Sequence, residues 1–245
     1  MQQMQIGWIN LLELASTVTV TSADPAAPAY RLYDRLFDVP WMAVNTAEQN
    51  IKIDQGTLGQ QVNALLIPQD HNLTETTISW QRATVDNDGS YVNVVPPWVQ
   101  ADEGLIQKLG THSDRFQRVK ISGAAAPPQI GELFLTILYT FRAPDFGSRR
   151  ATQFNVKRNV GMGGRPSYVK LGPSYRVLSY EMPSILLEDE AFYEAWFAAW
   201  DGGKPFFMVD HKGNRFFAEI LTEDPGFLDR EHNAIGVSLR IAQVH

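Results

Sequence analysis

The sequence predicts a mainly β protein, and three observations support that prediction. Segments such as residues 16–22 (STVTVTS) and 50–54 (NIKID) alternate in polarity with the period of two that half-buried strands show. These segments are rich in β-branched residues, which crowd a helix but suit a pleated sheet. They are separated by turn signals such as residues 86–91 (DNDGSY), where Asp88 and Gly89 tolerate positive φ and predict a hairpin.

The chain divides into three parts by composition. Residues 1–142 contain the strand-like segments above and three more, at residues 61–67 (QVNALLI), 76–85 (TTISWQRATV) and 115–122 (RFQRVKIS). Many short strands at this spacing predict a sandwich, jelly roll or barrel. Residues 143–168 are rich in Gly, Arg, Asn and Ser, with scattered apolar residues, and predict a linker or arm.

Residues 169–245 predict a smaller β-rich module that contains one helix, at about residues 188–200. Three acidic residues begin this segment, where negative charge favours a helix start, and Pro205 prevents its continuation. Phe192, Trp196 and Ala199 form an apolar stripe at helical spacing. Strand-like segments surround the helix, at residues 174–182, 204–210, 215–221 and 234–244.

Composition and charge exclude several classes of protein. The 245 residues include 21 basic and 27 acidic side chains, and a net charge of -6 argues against nucleic-acid binding. There are no cysteines, so thiol catalysis and cysteine-ligated zinc are excluded. Neither a signal peptide nor the roughly 20 apolar residues of a membrane span is present, so we expect a protein made in the cytoplasm.

No pattern of residues predicts an enzyme. The five histidines lack metal-ligand spacing, and there is no serine elbow of the G-x-S-x-G type. Acidic pairs that a glycosidase would need all lie in turns or at the helix start, where turn and helix propensity explain them. The sequence therefore indicates a protein without catalysis, and an enzyme acting on polysaccharide is the last of three hypotheses.

Four motifs follow one order along residues 7–141: AYRLYD (29–34) before Trp41, then IKIDQG (51–56), VNALLI (62–67) and IGELFL (130–135). In this order they resemble the galactose-binding-like jelly roll of the discoidin, or F5/8 type C, family. The resemblance implies that Trp41 is buried. It also implies a structural Ca²⁺ held by Asp34 and Glu132, although the glycine that usually follows the aspartate is Arg35 here. The alternative to a calcium site is that Asp34 is a paired aspartate on the surface and Glu132 is a glutamate at the edge of a strand.

The segment at residues 187–210 places an acidic helix start, an aromatic helix and Lys-Pro-Phe-Phe in one run. This run resembles a module of phage tail proteins, and a jelly roll joined to it is similar to tail-tip or baseplate proteins of the distal-tail type. The resemblance implies a structural virion protein of the tail, made in the host bacterial cytoplasm. It also implies a homo-oligomer that contacts other tail proteins. Such contacts need apolar patches, and Trp196 and Trp200 are the candidates for the assembly interface.

The cluster Asp70-His71-Asn72 ends a strand and has two interpretations. Aspartate and asparagine favour turns by bonding their own backbone, and a loop tip is also a suitable place for groups that bind a ligand. With Trp98, His71 and Asn72 are the candidates for contact with a host surface glycan. The leading hypothesis is therefore a tail protein that presents a jelly roll for fibre attachment or glycan contact. The alternative is a stand-alone, monomeric carbohydrate-binding module.

Overall fold

A computed structural model gives the fold of the chain. It describes residues 3–56, 59–69, 71–141, 149–153, 156–160, 166–170, 175–186, 190–199, 204–221, 227–231 and 234–244. Two compact units are present: one comprises residues 6–139, and the other comprises residues 1–5 with 140–244. The described residues are mainly β, with one α-helix among them.

The first thirteen strands are short and follow one another closely. They are β1 (Met4–Gly7), β2 (Thr17–Val20), β3 (Trp41–Met42), β4 (Gln49–Asp54), β5 (Val62–Ile67), β6 (Thr77–Ala83), β7 (Val92–Asn93), β8 (Trp98–Val99), β9 (Ile106–His112), β10 (Phe116–Ser122), β11 (Gln129–Ile130), β12 (Phe134–Thr136) and β13 (Tyr139–Phe141).

Two antiparallel sheets form the sandwich of the amino-terminal unit. The larger sheet has six strands in the order β2-β4-β10-β6-β7, and β8 also pairs with β6. The smaller has three strands in the order β12-β5-β9, and β3 and β11 form a separate pair. Strand β10 lies at the centre of the larger sheet, where Val119 is opposite Ile51 on one side and Trp80 on the other.

The core of the sandwich lies between these two sheets. Alternate residues of β4 and β10, including Ile51, Ile53 and Val119, are fully buried, as the period-two pattern predicts. Leu65 and Ile67 of the smaller sheet belong to the same apolar cluster. Trp41 also lies in this cluster with 0% exposure, which agrees with the resemblance.

The carboxy-terminal unit contains an eight-stranded sheet. The remaining strands of the chain all belong to this unit: β14 (Arg149–Gln153), β15 (Val156–Val160), β16 (Pro166–Lys170), β17 (Tyr175–Leu186), β18 (Phe206–Val209), β19 (Arg215–Ile220), β20 (Phe227–Glu231) and β21 (Ala234–Val244). The unit also contains the helix α1 (Glu190–Ala199). The sheet order is β13-β1-β18-β19-β21-β17-β14, and β20 pairs with β21. Strands β15 and β16 pair with each other in a separate two-stranded sheet.

Three details differ from the sequence predictions. Residues 143–168, predicted as a linker or arm, contain β14, β15 and the start of β16 within their described part. The first strand, Met4–Gly7, belongs to the eight-stranded sheet rather than to the sandwich. The hairpin between β6 and β7 is present, but Asp88–Ser90 form a 3-10 turn, and Gly89 is not among the residues with positive φ.

Candidate functional site

A cleft of about 180 Å³ opens at one end of the six-stranded sheet, where β2 and β10 begin and β4 and β6 end. The register places Thr17 beside Asp54, Thr19 beside Lys52, and Phe116 on the far side of Asp54. Since residues two apart on a strand share a face, these five side chains project from the outer face of the sheet. The complete lining is Thr17, Thr19, Lys52, Ile53, Asp54, Asp86, Tyr91 and Phe116.

The loop between β6 and β7 forms one wall of the cleft and is held on the sheet by ion pairs. Lys52 Nζ lies 3.2 Å from Asp86 and 3.1 Å from Asp88. Arg118 also pairs with Asp88, at 2.9 Å, and its guanidinium lies 4.0 Å from the ring centroid of Tyr91. The Tyr91 hydroxyl donates to Asp86 at 3.0 Å. The wall is therefore fixed by contacts that leave the cleft open to solvent.

Charges at the cleft are balanced in pairs. Arg115 donates two hydrogen bonds of 2.7 Å to Asp54, and these bonds hold the pKa of that carboxyl below its usual range. The hydrogen bonds from Lys52 to Asp88 and Asp86 raise the pKa of the lysine. Both groups are thus charged at neutral pH, and each has a partner of opposite charge. The threonine hydroxyls at Thr17 and Thr19 are exposed beside them.

A buried polar cluster lies at the same end of the sandwich. The Trp80 indole donates to Gln117 at 3.2 Å, and the His112 ring packs edge-on against Trp80 at 5.4 Å. Asp114 accepts from Arg82 at 2.6 Å and lies 3.8 Å from His112 Nδ1. Burial lowers the pKa of His112 to about 4, so the ring is neutral at pH 7.

The structure places the predicted ligand residues His71 and Asn72 in contacts within the fold. His71 is 1% exposed, with Nε2 3.0 Å from the Gly104 carbonyl oxygen and Nδ1 accepting from the Leu73 amide. Burial lowers its pKa. Asn72 donates to the carbonyl of Pro127 and accepts from the amide of residue 129. Both side chains order neighbouring loops, and a ligand role for them stays a prediction. Asp70 lies outside the described residues.

Trp98, the third predicted ligand residue, is half-buried on β8. Its ring packs against the core, and Lys108 Nζ lies 4.5 Å from the ring centroid. Its indole nitrogen is buried and has no hydrogen-bond partner within the described part of the chain. The ring is thus neither a flat exposed platform nor one of the residues that line the cleft.

The residues present do not fit the calcium site implied by the resemblance. Glu132 is 0% exposed, and its two oxygens accept from the Asn10 side chain at 2.9 Å and the Arg35 amide at 3.0 Å. Burial raises the pKa of Glu132 to about 9. Both of its oxygens already accept hydrogen bonds from the fold, so neither is presented to an ion. Asp34 accepts from the amide of Leu36. In the described ranges no three His, Asp or Glu side chains are grouped to hold a metal ion.

Of the two predicted assembly residues, Trp196 belongs to α1. Trp196 is 1% exposed and packs edge-on against Phe206, with Tyr193 beside it in the interior of its own unit. A role for Trp196 in assembly therefore stays a prediction, and Trp200 lies outside the described residues. Within the described ranges, no helix is long and apolar enough to span a membrane.

The cleft was not predicted from the sequence. Four of its residues, Thr17, Thr19, Lys52 and Asp54, occupy polar positions of the alternating segments 16–22 and 50–54. The alternation predicts the face on which these residues lie but not their neighbours. Pairing of β2 with β4 and of β4 with β10 brings them together over long sequence separations. The available signal was the run of threonines at alternate positions, Thr17 and Thr19, which places two hydroxyls side by side.

Comparisons with known proteins give structural likeness alone. No protein-family model matches the chain, and no curated protein matches it significantly. The chain is similar to chitosan-binding module 1 of a chitosanase/glucanase from Paenibacillus sp. IK-5, with 19% identity and a TM-score of 0.44 over 54% of this chain and 98% of that one. The family 32 carbohydrate-binding module of C. perfringens NanJ, solved with galactose, has 14% identity and a TM-score of 0.43 over 54% and 98%.

A fucosidase from Ruminococcus gnavus has 15% identity to the chain and a TM-score of 0.42, over 52% of this chain and 26% of the fucosidase. Carbohydrate-binding modules are thus among the structures that this chain resembles. At TM-scores of this size, the likenesses carry no argument about what this chain binds.

Proposed function

We propose that the amino-terminal sandwich binds a neutral saccharide in the cleft on its six-stranded sheet. The observation that carries the proposal is the lining itself. Hydroxyls of Thr17 and Thr19, carboxylates of Asp54 and Asp86, and the Lys52 ammonium surround one opening and offer both donors and acceptors. Sugar hydroxyls also donate and accept, so such a mixed lining suits them. Tyr91 and Phe116 add apolar ring surface.

The size and charge of the cleft narrow the class of ligand. A volume of about 180 Å³ is smaller than the roughly 300–1,000 Å³ of sites for drug-sized ligands, and it suits a single sugar ring. Because Lys52 already pairs with Asp86 and Asp88, and Asp54 with Arg115, a charged sugar would have to displace an ion pair. A neutral ring needs only hydrogen bonds.

The same electrostatics argue against catalysis in the cleft. A glycosidase requires one carboxyl that stays protonated near neutral pH to act as the general acid. The pKa of Asp54 is lowered by the hydrogen bonds from Arg115, so this carboxyl does not supply the proton of a general acid. We therefore infer binding without bond cleavage at this site.

Calorimetric titration with glucose, galactose and N-acetylglucosamine tests the proposal, with glucuronate as a charged comparison. We expect a dissociation constant of about 1 mM for at least one neutral sugar, as a few hydrogen bonds on one small ring allow. Since no ion pair is exchanged, the constant should change little between low and high salt.

Two lysines of the sheet provide matched variants. Lys52 lines the cleft. Lys120 lies on the same outer face of the sheet and is similarly half-buried, but it does not line the cleft, and its Nζ pairs with Glu48 at a distance of 2.7 Å. Lys52→Met should abolish measurable binding, and Lys120→Met should leave it unchanged. Equal losses in the two variants, or no binding of any neutral sugar by the unaltered protein, would contradict the proposal.

A second candidate function, assembly into a phage tail tip or baseplate, is favoured by one feature of the carboxy-terminal unit. Strands β15 and β16 form a ladder from Val156 opposite Lys170 to Val160 opposite Pro166. In the described part of the chain this ribbon pairs with no third strand. An isolated two-stranded ribbon is marginal in water and exposes unpaired backbone groups at its edges, which suits strand addition to a partner.

This second proposal agrees with the resemblance of residues 187–210 to a tail module, and it is compatible with sugar binding by the other unit. Light scattering at micromolar concentration tests it. We expect a discrete homo-oligomer, or a complex when tail proteins of the same phage are co-expressed. A protein that stays monomeric and co-purifies with none of them would contradict the assembly role.

A further inference from the structure

Three chain segments meet where the resemblance implies a metal, and a side chain of this protein lies at their junction. The Leu11 amide donates to the carbonyl of Leu135 at 2.8 Å, and the Leu133 amide donates to the carbonyl of Leu32 at the same distance. Asn10 bonds both Glu132 and the carbonyl of Leu133. The opening, the AYRLYD segment and the closing strand of the sandwich are thus joined at one place.

Arg35 lies at this junction and is only 9% exposed. Its guanidinium forms an ion pair with Glu13, donates to the carbonyl of Trp8 at 3.2 Å, and lies 4.4 Å from the ring centroid of Phe134. The backbone amide of the same residue donates to Glu132. Carboxylate and carbonyl oxygens are also the ligands that a calcium ion takes. The junction therefore already contains a cation bound by oxygen atoms of the kind that calcium requires.

The backbone conformation of Arg35 is strained, which indicates that its side-chain contacts stabilise the fold. Its φ is +65°, in the left-handed region that glycine adopts freely and that is strained for other residues. The contacts of the Arg35 side chain must therefore offset this backbone strain before they add to the stability of the sandwich.

We propose that the guanidinium of Arg35 takes the place of a structural divalent cation, so that the sandwich folds without a metal. The charge of Arg35 balances Glu13 and favours the acceptor role of Glu132. Its planar group contacts both the Trp8 carbonyl and the Phe134 ring. This inference concerns the stability of the sandwich and is independent of whether a sugar binds in the cleft.

The first test uses the unaltered protein and thermal unfolding in EDTA and in 5 mM calcium chloride. If Arg35 replaces the metal, the melting temperature of the sandwich should be the same in both solutions. Isothermal titration with calcium chloride should show no binding heat. A higher melting temperature in calcium, together with a loss in EDTA, would overturn the proposal without any variant.

The second test separates the guanidinium from the backbone. Arg35→Gly removes the side chain and relieves the left-handed strain, so a side chain of no structural value would make this variant more stable. We expect the opposite, a folding equilibrium constant lower by about tenfold, since loss of the partly buried ion pair and of the hydrogen bond to Trp8 outweighs the relief. Arg115→Gln is the matched control, because Arg115 pairs with Asp54 at an exposed position and should change stability little.

Glu13→Gln keeps the arginine and its backbone and removes only the charged partner. This variant should also lose stability, and it covers the case in which Arg35→Gly does not fold. A variant at position 35 or 13 that is at least as stable as the unaltered protein would show that the guanidinium does not perform the role of the cation.

Discussion

Acidification should destabilise the sandwich through His112, and His112→Phe is the variant that tests this. The ring of His112 is buried against Trp80, and burial lowers its pKa from the ordinary 6.5 to about 4. In the unfolded chain the imidazole regains its ordinary pKa and binds a proton first. The free energy of unfolding therefore contains a term that is fully present above pH 6.5 and is lost as the pH falls to 4.

The magnitude follows from the two pKa values. Each unit of difference in pKa corresponds to about 1.4 kcal/mol, so a pKa of about 4 in place of 6.5 gives at most about 3 kcal/mol. At pH 4.5 the loss relative to pH 7.5 is about 2–3 kcal/mol, since the folded ring is then partly protonated. Phenylalanine keeps the ring but cannot titrate, so His112→Phe should lack this part of the pH dependence.

Urea unfolding of both proteins at pH 7.5 and pH 4.5, followed by tryptophan fluorescence, gives the comparison. The decrease in unfolding free energy should be larger in the unaltered protein than in the variant by about 2–3 kcal/mol, and the other titrating groups cancel in that difference. An NMR titration of the His112 ring should give a midpoint near 4. Equal pH dependence in the two proteins, with a midpoint near 6.5, would refute the reasoning.

Three further substitutions have expected effects on stability, each measured by urea unfolding. Trp80→Phe leaves the buried Gln117 amide without its donor and should cost about 1–3 kcal/mol. Asn72→Ala removes two hydrogen bonds between loops and should cost about 1–2 kcal/mol while speeding proteolysis there. Gly131→Ala places a Cβ 2.2 Å from the carbonyl oxygen of Phe37, and this backbone clash should cost about 3 kcal/mol. A loss below 0.5 kcal/mol in any of them would contradict the contact named.

Most strands could be predicted from alternation, because one buried face imposes the period of two. Strands β4, β5, β6 and β10 fall within the predicted segments to within a few residues. Strand β9 was missed because Lys108, Gly110 and His112 interrupt its apolar pattern. Its place beside β5 depends on pairing across about 45 residues, which no local signal shows.

The candidate site was less predictable than the fold, and the reason is physical. Polar residues that end a strand, such as His71 and Asn72, look alike whether they bind a ligand or neighbouring backbone. The structure shows their backbone contacts. The cleft instead depends on register, because a one-residue slip of β2 against β4 would separate Thr19 from Lys52 and turn one of them inward.

Amide chemical-shift mapping by NMR tests the central claim, that the sandwich binds a neutral sugar on its six-stranded sheet, most directly. During titration with glucose, galactose and N-acetylglucosamine, at least one sugar should shift the amides of Thr17–Val20, Gln49–Asp54 and Tyr91 in a saturable way. The same sugar should leave those amides unshifted in Lys52→Met. Shifts confined to His71, Asn72 and Trp98, or no shifts with any neutral sugar, would contradict the account.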